Sequence, residues 1–331
     1  MKKVDITRLF AHRKLLWVGF LVAILIFLAA FPLYGNAYYI RLLFYMFMYA
    51  TLSMSWAMFS GATGYMSLAP AAFFGAGMYT MAFLQEALPF PVIIVIGGLV
   101  SFGFALLVGL VTLRLRGIYF TIFTFGLVMF VSEVVAYTES HLFHAIGRHI
   151  LPLDSKTLFY AMLVVAVATI VAIYFIRRSR LGLAMQSIGG NEEAAEHMGV
   201  NTTRIKVLTF AISAVFMGAA GVIMAPNLIY IDPRIAFSPA YSFMPILMSV
   251  FGGTTQLYGP VVGAAIFAYL ERTLREQLPE YFMLTFGILL VLVILFMPHG
   301  LEGLVSRLQN KLRAVIWKSR KGGETEQHAN T

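Results

Sequence analysis

The chain has 331 residues, of which 60% are apolar and only 12% are charged. Soluble domains carry about 25% charged residues, so half that share indicates surfaces that face lipid rather than one buried core. The net charge of +9 is compatible with binding to nucleic acid or to an anionic membrane surface. The chain contains no cysteine, which excludes disulfides, thiolate metal sites and cysteine nucleophiles.

Apolar stretches recur along the whole chain. A spanning helix needs about 20 mostly apolar residues, and the stretches predict about ten crossings. They lie near 15–33, 38–60, 65–85, 90–113, 117–137, 157–176, 207–225, 241–255, 259–271 and 281–297. The first is too long for a typical secretory signal and is predicted to be a retained anchor. The two stretches of the 241–271 hairpin are short, and the sequence leaves open whether that hairpin crosses completely.

The positions of lysine and arginine predict the orientation. With the N-terminus inside and ten crossings, the internal segments hold 18 of the 24 Lys and Arg residues. These segments are 1–14, 61–64, 114–116, 177–206 and 298–331. Cytoplasmic loops carry the excess of positive charge, so both termini are predicted to be cytoplasmic. The same distribution accounts for most of the net charge, so membrane lipid is the expected partner and nucleic acid is not.

Three parts of the chain follow from these patterns. They are a basic N-terminus at 1–14, a transmembrane domain at 15–297 and a C-terminal segment at 298–331. The predicted fold class is an all-α, polytopic transmembrane helical bundle. Apolar residues recur at helical spacing from Leu301 to Ile316, which is typical of a helix lying in the membrane interface. The same face is equally suited to packing against the bundle. The polar tail at 321–331 is predicted to be disordered.

The internal segment 177–206 contains the pattern of a short capped helix. Asn191 is a good N-cap, and Glu192 and Glu193 complement the positive end of the helix. Gly199 is placed to end the helix as its C′ residue. Two faces are expected, one with Ala194, Ala195 and Met198 and the other with Glu192, Glu193 and Glu196. A helix of about eight residues is not stable alone in water, so it needs a docking surface on this chain or on a cytoplasmic partner.

The segment from Asn191 to Lys206, continued by Phe210–Ala214, resembles the coupling segment of LivM-type permeases. These are transmembrane subunits of branched-chain amino-acid ABC importers. Three further blocks are similar to the family in the same order: the glycine-rich block at 61–80, Leu-Arg-Gly-Ile-Tyr-Phe at 115–120, and Gly-Gly to Gly-Pro-Val-Val-Gly-Ala at 252–264. The sequence departs from the family at Tyr65, where a Gln is usual, and at Met129, where an intramembrane Glu is usual.

The resemblance implies a machine of several subunits in the inner membrane of a bacterium or archaeon. It implies a heterodimer with a second related permease, two cytoplasmic ATPase subunits and an extracytoplasmic solute-binding protein. The residues expected to contact an ATPase are Asn191, Glu192, Glu193, Ala194, Ala195, Glu196, Met198 and Gly199. Replacing Ala195 by Arg is expected to uncouple uptake while leaving the subunit folded. The implied cargo is branched-chain, hydrophobic amino acids, with urea or short amides as the alternative.

The energy source is also constrained by what the sequence lacks. It contains no Gly-x-x-x-x-Gly-Lys-[Ser/Thr] motif, so the chain is not expected to hold a nucleotide in a P-loop. We therefore expect no cofactor on this chain, with ATP and Mg²⁺ on the partner subunits. An ion-coupled secondary transporter would need ionisable residues in several spans, and Glu133 is the main candidate. An intramembrane enzyme would need a nucleophile, a base and oxyanion donors within reach of one another, and the sequence shows no such set.

Glycine and proline in the blocks at 61–77 and 252–263 have two interpretations. Small residues allow helices to approach closely in lipid, or they break helices so that backbone groups line a solute path. Pro70 and Pro260 each follow a glycine-rich turn, which favours broken helices there. The candidate path residues are Gly61, Gly64, Tyr65, Ser67, Pro70, Glu133, Gly252, Gly253 and Pro260. A carboxylate at bilayer depth costs about 2.5–3.5 kcal/mol, so Glu133 should face protein or water. It is interpreted either as a contact for a solute ammonium or amide, or as an acid near the membrane interface. His141, His144 and His149 lack a comparable metal signature, and no metal is expected there.

Overall fold

The computed structural model describes residues 25–277 apart from 145 and 255, together with positions 19, 23, 281, 284, 287, 288 and 291. Its elements are α1 (Leu25–Tyr34), α2 (Ala37–Trp56) with a π-helical turn (Ala57–Gly61), α3 (Pro70–Leu84), α4 (Phe90–Thr112), α5 (Ile118–Phe143), β1 (Arg148–His149), α6 (Ser155–Arg178), α7 (Arg180–Gly190), α8 (Glu192–His197), α9 (Thr202–Leu228), β2 (Tyr230–Ile231), α10 (Pro233–Ala236), α11 (Ala240–Gly252) and α12 (Gly259–Gln277). The basic N-terminus, most of the tenth predicted span, the C-terminal helix and the tail lie outside the described residues.

Six stretches of the described chain are helical, long and apolar enough to cross a membrane. They are Ala37–Gly61, Phe90–Thr112, Ile118–Leu142, Ser155–Arg178, Thr202–Leu228 and Pro233–Gly252. The all-α polytopic fold is therefore confirmed, whereas the predicted count of ten crossings is not. Among the described helices, α3 has only 15 residues, and α12 ends in two turns that carry four charged side chains.

Helix α9 lies at the centre of the bundle and packs against α3 and α4. Gly77 of α3 faces Gly218 of α9, and a Cβ on Gly77 would overlap the Gly218 carbonyl group. One turn along α9, a Cβ on Gly221 would overlap the carbonyl of Phe74. Helices in lipid associate through close packing of this kind. The glycines therefore set the distance between α3 and α9.

One end of the bundle, which we call the α8 end, collects the segments that were predicted to be internal. A Cβ on Gly189 would overlap the carbonyl of Ala62, so α7 packs directly against the end of α2. Arg177 donates a hydrogen bond from Nη2 to the Thr254 carbonyl at 2.8 Å. These contacts bring the loops that follow α2, α6 and α11 together.

The opposite end, which we call the hairpin end, is closed by a small two-stranded sheet. β1 pairs antiparallel with β2, and Arg148 lies opposite Ile231. Gln85, just after α3, donates from Nε2 to the His149 carbonyl at 3.0 Å. The segment 138–156, predicted to lie on the outside, is thus at the other end of the bundle from the predicted internal loops.

Helix α5 is the least covered of the six membrane-length helices. Only 22% of its most apolar window is buried, against 78% for the windows in Ala37–Gly61 and Thr202–Leu228. Most of the α5 surface therefore faces away from this chain.

Candidate functional site

The helical path is broken between α2 and α3. The apolar stretch at 65–85 was predicted to be a span with a break favoured at Pro70, and residues 64–69 are not helical, so that α3 begins only at Pro70. Gly64 has a φ of +74°, a conformation that glycine adopts without steric penalty. Pro70 has no N–H to donate and is tolerated in the first turn of a helix. We call residues 64–69 the broken segment.

Side chains of α5 satisfy part of the backbone of the broken segment. Thr121 donates from Oγ1 to the Met66 carbonyl at 2.8 Å. The Leu68 N–H donates to Thr124 Oγ1 at 3.0 Å. A non-helical backbone inside a membrane protein is tolerated where neighbouring groups complete its hydrogen bonds. The broken segment is thereby tied to the inner-facing side of α5.

Two further side chains complete this backbone from α2 and α11. Trp56 donates from Nε1 to the Ser67 carbonyl at 2.8 Å. Ser242 of α11 donates from Oγ to the Leu68 carbonyl at 2.9 Å and accepts from the Ala71 N–H at 3.0 Å. Movement of the broken segment would therefore disturb α5, α2 and α11 together.

Behind the broken segment lies a cavity of about 10 Å³, which is room for roughly one water molecule. It is lined by Trp56, Phe59, Ser60, Ser67, Pro70, Phe73, Phe210, Ser213 and Met217. Ser67 and Pro70, both predicted to line a solute path, pack against this closed space. Gly61 and Gly64 are exposed, and Tyr65 is half-buried, at the α8 end.

Helix α8 has the predicted caps. The Asn191 Oδ1 accepts a hydrogen bond from the Ala194 N–H at 3.0 Å. Gly199 has a φ of +85°, and its N–H donates to the Glu196 carbonyl at 2.9 Å. The helix spans Glu192–His197, six residues, so the capped helix is confirmed and is slightly shorter than predicted.

The predicted faces of α8 are wrong. Ala195 is 0% exposed and Glu192, three residues earlier, is half-buried, whereas Glu193 and Ala194 are exposed. Residues three apart share one side of a helix, so Glu192 and Ala195 form the side that docks on this chain's own α7 and α9. Met198, at 71% exposed, points away from that docking side.

Glu192 turns inward because two side chains bind its carboxylate. Lys206, at the start of α9, donates from Nζ to Glu192 Oε1 at 2.6 Å. The Tyr65 hydroxyl donates to Glu192 Oε2 at 2.5 Å and accepts from Lys206 Nζ at 3.1 Å. Lys206 also donates to the Leu113 carbonyl at 3.3 Å. We call Tyr65, Glu192 and Lys206 the α8 cluster.

The α8 cluster is shielded from solvent. The side chains of Lys206 and Glu192 are 4% and 15% exposed, so their attraction is weakly screened. Burial by itself would raise the pKa of Glu192, but the hydrogen bonds from Lys206 and Tyr65 and the charge of Lys206 lower it below its ordinary value. Sequence reasoning missed the role of Lys206, which lies 141 positions from Tyr65.

The outward side of α8 remains accessible. It carries Glu193, Ala194, His197 and Met198. Glu193 lies 3.7 Å from the Arg116 guanidinium, but these side chains are 76% and 60% exposed, so the ion pair contributes little. Glu196 accepts a hydrogen bond from Thr202 Oγ1 at 2.6 Å. A small surface with an acid, an alanine and a flexible apolar side chain is thus presented on a firmly seated helix.

Comparison with known proteins decides what kind of molecule carries this arrangement. Residues 38–294 match the family described as branched-chain amino acid transport system / permease component. The chain belongs to this family. The resemblance to LivM-type permeases that the motifs indicated is confirmed, and a transport permease component is not an enzyme.

Similarity to individual permeases extends over most of the chain. The high-affinity branched-chain amino acid transport system permease protein LivM of Salmonella typhimurium is 28% identical over 332 residues, covering 89% of this chain and 77% of LivM. LivH of Escherichia coli K12 is 33% identical over 130 residues, covering 39% of this chain and 42% of LivH. The ribose import permease RbsC of Haemophilus influenzae is 28% identical over 137 residues, with 39% and 42% covered. No solved structure matches the chain.

In this permease the second glycine-rich block serves helix packing. A Cβ on Gly252 would overlap the Gly259 carbonyl, and one on Gly259 would overlap the Gly253 carbonyl. Gly253 has a φ of +94°, which turns the chain between α11 and α12. Pro260, predicted to line the path, is buried in the first turn of α12. Close packing accounts for these positions in the structure.

Glu133 is neither inside the bundle of this permease nor at the end of its helix. The side chain is exposed, and α5 continues from Glu133 to Phe143. The carboxylate therefore lies on the outward surface of α5, well within the helix. The membrane boundary on α5, and with it the alternative that Glu133 lies near the interface, stays a prediction.

A different acid of α5 is buried and was missed. Glu139 is 2% exposed and accepts from the Tyr79 hydroxyl at 3.2 Å, the Gly147 N–H at 2.9 Å and Arg148 Nε at 3.1 Å. Sequence reasoning placed Glu139 in an external loop. The glycine at 147, with a φ of +87°, was the available signal for a turn back onto the helix. We call Tyr79, Glu139 and Arg148 the hairpin cluster.

The three histidines of this region are separated. His141 stacks on Tyr137 with ring centroids 4.0 Å apart, and His149 lies against Tyr230 at 5.3 Å. Among the described residues, no three histidine, cysteine, aspartate or glutamate side chains form a group that could hold a metal ion.

Proposed function

We propose that this permease is the membrane subunit of an ATP-driven importer that carries branched-chain, hydrophobic amino acids across the inner membrane of a bacterium or archaeon. The family and the extent of similarity to LivM support the transport role and the solute class. The observation that carries the mechanism is α8, a capped helix seated on the chain with one side left accessible. The similarity to a ribose permease indicates that part of this scaffold serves more than one solute, so urea or short amides are the alternative cargo.

The partner at α8 is proposed to be one of two cytoplasmic ATPase subunits. A six-residue helix is too short to be stable by itself, yet here it is held in place by its inward side, which leaves the other side for docking. Because the native chain has no cysteine, Glu193→Cys gives a single reporter. We expect crosslinking of this variant to the ATPase in intact membranes, and none for Glu86→Cys at the hairpin end. Efficient crosslinking at Glu86 with none at Glu193 would contradict the assignment.

The assignment also defines the orientation. The α8 end would face the cytoplasm, where the predicted internal loops carry their lysine and arginine residues. The hairpin end would face an extracytoplasmic solute-binding protein, with ATP and Mg²⁺ held only by the ATPase subunits. Alternating access would follow when ATP-driven closure of the ATPase pair shifts α8 relative to the bundle.

The outward side of α5 is proposed to meet a second, related permease and to form one wall of the solute path. A carboxylate exposed to lipid at the bilayer centre costs about 2.5–3.5 kcal/mol, and contact with a partner or a water-filled path would remove the cost of placing Glu133 within the bilayer. Glu133 is exposed in the isolated chain and would supply a negative charge for a solute ammonium group. Glu133→Gln should lower uptake without loss of assembly, whereas Glu86→Gln should not change uptake.

The function is tested by reconstituting the chain with its co-expressed partners in proteoliposomes. Uptake of labelled leucine, isoleucine and valine should require both ATP hydrolysis and the solute-binding protein, and an ATPase-inactive partner is the control. Uptake of urea or acetamide in place of leucine would assign the alternative cargo to the same machine. Transport by the chain alone down an ion gradient would overturn the proposal.

A further inference from the structure

The α8 cluster joins three parts of the chain that are distant in sequence. Tyr65 belongs to the broken segment, Glu192 is the first residue of α8, and Lys206 lies in the first turns of α9. Their side-chain atoms form a closed ring through Lys206–Glu192 at 2.6 Å, Tyr65–Glu192 at 2.5 Å and Lys206–Tyr65 at 3.1 Å. Through Glu192, α8 is therefore hydrogen-bonded both to the broken segment and to α9.

This ring resists separation of its members. An ammonium group has three protons to donate, and Lys206 directs them to Glu192, Tyr65 and the Leu113 carbonyl. The Lys206 side chain is 4% exposed, so water does not replace a lost partner without rearrangement. Charge-assisted hydrogen bonds are stronger than neutral ones, and an unpaired buried charge is costly. Moving α8 together with Tyr65 therefore costs less free energy than breaking the hydrogen bonds that join them.

The residues that follow Tyr65 in the broken segment are hydrogen-bonded to α5. The next residues of the broken segment are held by Thr121 and Thr124 of α5 through the Met66 carbonyl and the Leu68 N–H. α5 also carries Glu133, which faces outward. A displacement of Tyr65 would therefore strain these hydrogen bonds to α5, the helix that carries Glu133.

We propose that Tyr65 and Lys206 are positioning residues that transmit the displacement of α8 to the broken segment and to α5. The inference rests on the proposed function, because it assumes that an ATPase displaces α8. The transmitting groups are the Tyr65 hydroxyl and the Lys206 ammonium, which act through Glu192 and contact neither ATP nor solute.

The test compares solute taken up with ATP hydrolysed, in the complete complex reconstituted in proteoliposomes. Tyr65→Phe and Lys206→Met should each lower the amount of leucine imported per ATP by about fivefold or more, the range of ordinary coupling between sites. ATP hydrolysis and the amount of assembled complex should stay near wild type. Tyr258→Phe is the matched control, because Tyr258 lies in the loop after α11 at the same end and is 59% exposed, and it should keep the wild-type ratio.

A double variant distinguishes transmission from general damage. If the ring acts as one unit, Tyr65→Phe/Lys206→Met should lower the ratio no further than the more severe single variant, since coupled residues are not additive. Multiplication of the two single effects would show independent defects and overturn the proposal. If Lys206→Met fails to assemble, Tyr65→Phe against Tyr258→Phe still decides, and a wild-type ratio for Tyr65→Phe refutes transmission.

Failure of the proposed function gives a different result. In that case the wild-type complex itself shows no ATP-dependent uptake of any solute tested. If wild type imports solute and both single variants keep its ratio of solute to ATP, only the inference about the α8 cluster is refuted.

Discussion

The two ends of the permease contain the same chemistry in different settings. Each has a tyrosine hydroxyl and a cationic side chain on one buried or half-buried carboxylate. In the hairpin cluster the acid and the arginine are nine positions apart, and the tyrosine lies 60 positions from the acid. In the α8 cluster the acid and the lysine are 14 positions apart, and the tyrosine lies 127 positions from the acid.

The position of the tyrosine distinguishes the two clusters. In the hairpin cluster Tyr79 belongs to helix α3, and Glu139 and Arg148 close a short loop onto the end of α5, a closure that costs little conformational entropy. The α8 cluster joins a six-residue helix to a non-helical segment that has its own ties to α5 and α11. We therefore expect variants at the hairpin cluster to alter stability, and variants at the α8 cluster to alter coupling.

The largest effect is expected from Ala195→Arg. Ala195 is 0% exposed, so a long charged side chain cannot be accommodated and α8 should leave its seat. Uptake should fall to background, and limited proteolysis should cut residues 191–200 faster. The earlier expectation of a folded but uncoupled subunit therefore belongs to Ala194→Arg, on the exposed side of the same helix. Slow proteolysis of Ala195→Arg would show that Ala195 does not seat the helix.

Glu139→Ala should have the next largest effect, on stability. It removes the acceptor for Tyr79 and Arg148, and leaving a buried group without its hydrogen-bond partner costs about 1–3 kcal/mol. The unfolding temperature of the purified permease should fall, while solute imported per ATP stays at the wild-type ratio. Glu86→Ala, an exposed acid at the same end, is the control. A changed ratio with normal stability would erase the distinction between the clusters.

Glu192→Gln should show the reverse pattern with a smaller change in stability. The amide keeps the shape of the carboxylate, so the free energy of unfolding should fall by only about 1–2 kcal/mol. Lys206 loses its counter-charge, and the ratio of imported leucine to hydrolysed ATP should fall. Thermal unfolding and the transport assay measure the two quantities on the same preparation. If both remain at wild-type values, the charge of Glu192 has no part in coupling.

The smallest effect is expected from pH. The pKa of Glu192 is below its ordinary value of 4.5, so its contribution is complete above that value and is lost as the pH falls through the lowered pKa. Between about pH 5 and pH 8 the ratio of solute to ATP should therefore not depend on this group. A decline over that range in wild type that is absent in Glu192→Gln would contradict the assignment.

Local patterns could be read correctly from the sequence. The caps of α8 depend on Asn191 and Gly199, whose hydrogen bonds and φ angle involve neighbours three residues away. The segments predicted to be internal and the segment predicted to be external lie at opposite ends of the bundle, while the orientation of these ends in the membrane stays a prediction. The break before α3 was indicated by the glycine-rich turn and Pro70, although the apolar stretch at 65–85 runs through it because hydropathy averages over many residues.

What the sequence by itself determined is the class of molecule: an all-α membrane protein of a transport family, with a short capped helix between α7 and α9. Only the tertiary structure decided that Ala195 rather than Ala194 is buried, that Glu192 turns inward, and that Glu139 rather than Glu133 is enclosed. The reason is physical. Apolar length, charge and caps act over one or two helical turns, whereas Glu192 is held by Lys206 from the next long helix and by Tyr65, which lies 127 positions away and is brought there by packing.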